Sequence, residues 1–186
     1  MPDFDRTKWD AKYADADFAP REPSTVLISL AKYLPRQGKA IDVAGGAGRN
    51  AIWLAQRGLD VTIADVSSVG LALAAARAQE AGVTLTTLCT DLEEQPFPHG
   101  PWDLIVSVRY LQRPLFAVYP QVLAPGGKLV AIQPTKSNLQ RHEKPPADFL
   151  LRDGELPQLI QGLEIIHYAE GWLADGRHDA VLVATK

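Results

Sequence analysis

Ile41-Asp42-Val43-Ala44-Gly45-Gly46-Ala47-Gly48-Arg49-Asn50, followed by a second acid at Asp65, decides how this chain is read. Ile41 to Val43 has the character of a buried strand, the glycines form a turn, and Arg49 opens a helix. Such a turn needs glycine where backbone must approach a ligand closely or adopt positive φ. The free N–H groups of the helix start point into the same space. Asp65 ends the next strand, where its carboxylate is placed to accept from two ribose hydroxyls. The layout is that of a nucleotide-binding half-site.

Two cofactors fit it. Gly46-Ala47-Gly48-Arg49-Asn50-Ala51 matches the dinucleotide fingerprint G-x-G-x-x-G/A with Asp65 near the expected spacing, so an NAD-dependent oxidoreductase is one reading. Asp42 favours the other, because a carboxylate inside a strand is costly unless something satisfies it. The pyrophosphate of NAD would be repelled by that group. The cationic α-amino group of S-adenosylmethionine would pair with it.

Ile41 to Gly48 resembles the first motif of the class I S-adenosylmethionine-dependent methyltransferases, hydrophobic-acid-hydrophobic-G-x-G-x-G, with Ala44 where the first glycine is usual. That replacement is expected to be tolerated by a negative φ at residue 44. Asp65 after Val61-Thr62-Ile63-Ala64, Asp91-Leu92 after a third strand, and Leu123-Ala124-Pro125-Gly126-Gly127-Lys128-Leu129 before a fifth fall in the family's order. The similarity is strongest over residues 39–133. Trp9-Asp10-Ala11-Lys12-Tyr13 and Arg113-Pro114-Leu115 resemble segments of its small-molecule members of the tellurite-resistance and thiopurine types.

Length and composition bound the answer. A chain of 186 residues, 46% hydrophobic, suits one domain with a sizeable core, residues 1–22 forming an N-terminal lid. The formal charge of −3 with scattered Lys and Arg argues against a nucleic-acid substrate. Cys89, the one cysteine, cannot form an internal disulfide, and no apolar run is long enough to span a bilayer; a cytoplasmic protein away from membranes is expected.

Hydrophobic spacing and breaker residues predict strands over 39–44, 60–65, 83–90, 102–108, 127–133, 163–168 and 178–185. Helices are predicted over 49–57, 69–80 and 114–124, with two more carrying Leu27, Leu30, Ala31 and Leu34, and Leu156, Leu159, Ile160 and Leu163. The alternation implies a doubly wound α/β fold, a seven-stranded mostly parallel sheet whose last strand runs antiparallel, as in the family.

Ligands of such sheets sit outside the carboxyl ends of the strands. The resemblance implies a cofactor site of Trp9, Tyr13, Asp42, Ala44, Gly45, Gly46, Gly48, Asn50, Asp65, Val66, Asp91, Leu92, Val108 and Arg109. Asp65 would hold the ribose, Asp91 with Leu92 the adenine, and Trp9 and Tyr13 a lid that excludes water. Beyond the fourth strand, Tyr110 is expected to line a small-molecule substrate, Arg109 and Arg113 are candidates for an anionic one, and His142 for a base. His99, His167 and His178 are scattered without ligand spacing and there is one cysteine, so no metal is expected. Ser67, Ser68 and Ser107 lack a hydrolase elbow. The third class of reading is a binding module of the same fold without turnover.

Overall fold

Alternation along the first strand already assigns the two faces of the sheet. In β1 (Lys39–Val43), Ile41 and Val43 enter one core while Ala40 enters the other, with Asp42 on the Ala40 side. The structure, a computed structural model, describes residues 2–15 and 18–186. The remaining strands are β2 (Asp60–Asp65), β3 (Leu85–Cys89), β4 (Trp102–Val108), β5 (Leu123–Pro134), β6 (Glu164–Trp172) and β7 (His178–Thr185). They form one sheet in the order β3-β2-β1-β4-β5-β7-β6. β1 to β5 pair in parallel, and β7 lies antiparallel between β5 and β6. The sheet order therefore reverses direction between β1 and β4, and it is beside such a switch that a ligand crevice opens.

Helices α2 (Thr25–Ser29), α3 (Arg49–Gln56) and α4 (Ser68–Glu80) cover the face that receives Ala40, Leu104, Val106 and Val130. The opposite face, with Ile41, Ile105, Leu129 and Leu182, is covered by α5 (Leu115–Val122) and α6 (Leu156–Leu159). Ser67 caps α4 by accepting from the Gly70 N–H at 3.0 Å. An N-terminal helix, α1 (Pro2–Tyr13), packs against α4.

Several predicted boundaries move for local reasons. The 27–34 helix is the short α2 followed by one 3₁₀ turn over Ala31–Tyr33, yet Leu27, Leu30 and Leu34 stay buried because a three-residue period keeps the same side inward. Leu123 leaves α5 with ψ 139 and pairs with Trp102, so β5 begins ahead of the Pro125-Gly126-Gly127 turn. The helix predicted from Leu156, Leu159 and Ile160 stops at Leu159, leaving Leu163 outside it: Ile160 is extended and Gly162 has φ 74. Ala44 also differs from expectation, with φ 53 rather than a negative value. The first glycine's place in the loop does require the left-handed region, and this chain meets the requirement with an alanine.

Candidate functional site

The loop from Ala44 to Gly48 leaves β1 at the carboxyl edge of the sheet and runs into α3, whose N-cap, Gly48, has φ 79. Asp42 lies beneath it, 1% exposed, and its Oδ2 has no hydrogen-bond partner among the described residues. A Cβ on Gly45 would come within 2.8 Å of that oxygen, so only glycine lets the loop close over the carboxylate. Burial pushes the Asp42 carboxyl up to about 7, against the opposing pull of the Ala51 N–H and the Arg49 guanidinium.

Asp65 ends β2 and is nearly as buried. Its Oδ2 accepts from Gly46 N at 2.8 Å and its Oδ1 from Ser67 N at 2.8 Å, so it braces the glycine loop against the start of α4. Burial raises its carboxyl above the usual range, while those N–H groups oppose the rise. Each oxygen still has a lone pair for a hydroxyl donor. Val66 follows it, its carbonyl receiving the Cys89 thiol at 3.6 Å.

Helix α1 closes over this loop through the Trp9-Asp10-Ala11-Lys12-Tyr13 segment. Asp10 Oδ1 accepts from Ser67 Oγ at 2.6 Å and Val69 N at 3.2 Å, adding a carboxylate to the N-terminus of α4. Tyr13, one helical turn on, has its hydroxyl over Gly46, where a Cβ would collide with it, and its ring against Gly70. Trp9 stacks on Tyr13 with centroids 6.0 Å apart. Burial, then the charges of Asp65 and Asp42, drive the Tyr13 phenol well above its ordinary value.

Of the residues that the resemblance implies for the cofactor site, Asn50 is buried, its Oδ1 accepting from Ser24 N at 3.0 Å, and Leu92 is buried against the core. Asp91 sits half-buried after β3, and its Oδ1 accepts from Glu93 N at 2.9 Å in a turn closed by Gln95 N. Beyond Val108, Arg109 has φ 60 and turns its guanidinium to Asp175 at 3.2 Å and to the buried Asp179 at 3.5 Å. Arg113 pairs with Glu155 at 2.6 Å, and that bond together with the Arg152 N–H holds the Glu155 carboxyl down at about 2 against its burial. His142 Nε2 lies 2.8 Å from the Gly176 carbonyl, an exposed contact in which the ring nitrogen must donate.

Tyr110 packs on the core under α5. Its carbonyl accepts from Ser107 Oγ and from Gln133 Nε2, so a buried polar network fixes the chain where it leaves β4. Burial first, then the charges of Glu93, Asp91 and Asp65, raise its phenol. The acids at the ends of β2 and β3 and this tyrosine therefore lie toward one carboxyl edge of the sheet, near enough for those charges to act on the phenol. Arg49 belongs there too, although it was not singled out in the sequence: half-buried at the start of α3, it lies in the field of both Asp42 and Tyr13. Its place directly after Gly48 was the signal.

This edge of the sheet thus offers an orphaned anionic oxygen, a cradle closed to any side chain, a guanidinium and a strand-end acid. That donor set fits a ligand with an ammonium group, a carboxylate and a diol, as S-adenosylmethionine has, and it opposes a pyrophosphate at Asp42.

Comparison with known proteins agrees. Residues 40–127 match a family model described as a methyltransferase domain. The demethylmenaquinone methyltransferase of Thermus thermophilus is 32% identical over 103 residues, 51% of this chain and 46% of that protein, so the chain spans about half the length of the curated relative it matches. TehB from Haemophilus influenzae superposes with a TM-score of 0.73 at 19% identity, over 96% of this chain and 67% of that one. A SAM-dependent methyltransferase from Aquifex aeolicus gives 0.69 at 18% identity, over 100% of this chain and 98% of that one. At these identities the structural likeness is one of fold.

Proposed function

We propose that the chain methylates a small molecule bearing a polarizable nucleophile, because residues 40–127 match a methyltransferase-domain model and the chain takes the class I S-adenosylmethionine-dependent methyltransferase fold. A thiol or a metalloid oxyanion is the acceptor class. The observation that carries the reading is Asp42, a buried carboxylate oxygen without a partner beneath a loop that excludes side chains. S-adenosylmethionine supplies, when bound, a methyl group made electrophilic by its sulfonium centre.

The residues divide the work by charge. Asp42 takes the ammonium group and Arg49 the carboxylate, Gly45, Gly46 and Gly48 let backbone approach, Asp65 takes the ribose, and Asp91 the adenine amine. Tyr13 and Trp9 cover the loop and keep water out. Tyr110 lines the acceptor side. Its phenol is held protonated by burial and by nearby acids, so it donates and does not act as a base. His142, engaged with Gly176, positions the loop. With the Tyr110 phenol a donor, an acceptor that is already a good nucleophile is favoured, and positioning supplies the rate. A cytoplasmic setting belongs to the same reading, supported by the single free Cys89.

Mass spectrometry of the denatured protein should find co-purified S-adenosylhomocysteine, and calorimetry should show binding of S-adenosylmethionine but not of NADH. Methyl transfer should then appear with a thiol, selenite or tellurite. Binding of NADH alone would make the protein an oxidoreductase. Cofactor binding with no transfer to thiol, metalloid, halide, amine or phenol acceptors would make it a binding module.

A further inference from the structure

Away from the glycine loop, at the β6–β7 end of the same sheet edge, three metal-ligating side chains from separate segments converge. Asp153 comes from the turn before α6, Glu170 from β6 and His178 from the first position of β7. One ligand atom of each lies within 4.8 Å of the other two. Trp172 pairs with His178 and Glu170 with Ala180, so Glu170 and His178 are diagonal neighbours on one face of the ladder. Asp153 approaches from the loop above.

We propose that Asp153, Glu170 and His178 bind a divalent transition-metal cation that ties the segment between β5 and α6 to the β6–β7 ladder. Two carboxylates and one imidazole with open positions suit an ion of the manganese-to-zinc range. Ligand atoms on such an ion stand about 3 to 3.5 Å apart, so the 4.8 Å limit closes with small side-chain rotations.

Two further observations favour an ion. Each ligand is oriented by a group outside the trio: Thr135 Oγ1 lies 2.7 Å from His178 Nδ1, Gly154 N donates to both Glu170 oxygens at 3.0 Å, and Ser137 donates to Asp153 through N and Oγ. Outer support of this kind fixes ligands before the metal arrives. The second is charge. The two carboxylates face each other, and among the described residues neither has a Lys or Arg within 4.0 Å; Arg141 is stacked on Trp172 instead, 3.7 Å from its ring. Two carboxylates so placed beside an imidazole concentrate negative charge and lone pairs on one spot, which a divalent cation complements.

The inference is independent of the cofactor and is tested without it. Tag-free, chelator-stripped full-length protein is titrated with MnCl2 alone, followed by electron paramagnetic resonance and by thermal unfolding, with ZnCl2 in a parallel series. The expected result is one saturable site and a rise of several degrees in Tm. Glu170→Gln and Asp153→Asn should each weaken binding at least tenfold, with circular dichroism showing that both metal-free variants remain folded. No saturable binding by the unsubstituted protein overturns the proposal, whatever the variants do. Binding retained within twofold in both variants overturns it equally.

Discussion

Ala44 and Asp42 each spend stability on the loop they flank. An alanine at φ 53 stands where only glycine is free of steric cost, so Ala44→Gly should stabilise the protein by about 1 kcal/mol in urea unfolding, with cofactor affinity unchanged. The cost at Asp42 depends on pH. Its folded carboxyl titrates at about 7, above the ordinary 3.8, so the folded state holds more protons than the unfolded one between those values, and stability falls as pH rises through that window. Asp42→Asn should therefore stabilise the ligand-free protein at pH 8, on the order of 3 kcal/mol, and scarcely at all at pH 4. The same substitution should weaken S-adenosylmethionine binding at least tenfold at pH 8. Equal Tm gains at both pH values would show that burial, not ionisation, is what the asparagine relieves. Asp65→Ala should also cost at least tenfold in affinity, together with about 1 to 3 kcal/mol of stability, since Asp65 braces the Gly46 and Ser67 N–H groups.

Helix α1 shows what a motif can and cannot disclose. Its Trp9 and Tyr13 were legible as a pair one turn apart, and the resemblance gave them a lid role. The dock itself was not legible, because Asp10 meets the N-terminus of α4 only after β1 and β2 have brought that helix alongside. Tyr13→Ala should raise the dissociation constant for S-adenosylmethionine several-fold while leaving the fold intact, and cofactor binding should change tryptophan emission through the stacked Trp9. The same contrast holds elsewhere. Strands β2, β4 and β7 kept their predicted bounds because each has an apolar centre that the sheet buries, most continuously in β4. Arg109 and Arg113 read as candidates for an anionic substrate, and their partners Asp179 and Glu155 lie in segments far along the chain, so only the folded sheet shows both engaged. Asp153, Glu170 and His178 escaped the spacing test for the same reason.

For the molecule as a whole, two displaced carboxyls pull in opposite directions. Glu155, held at about 2 by Arg113, contributes stability that is present above its ordinary 4.5 and lost as pH falls toward 2. Asp42 takes stability away as pH rises from 3.8 to 7. The ligand-free protein should therefore be most stable in mild acid, and S-adenosylhomocysteine should move the maximum toward neutral pH by supplying a cation to Asp42; a profile of Tm against pH with and without that ligand checks both. The sheet order carries a different consequence. β6 touches no strand but β7, and β7 is made after it. During synthesis β6 therefore emerges from the ribosome with nothing to join, and β5 keeps an open edge until β7 arrives to fill the gap. Five parallel strands can assemble as translation proceeds, whereas closure of the sheet waits on the last strand to be made and then captures two neighbours in one event.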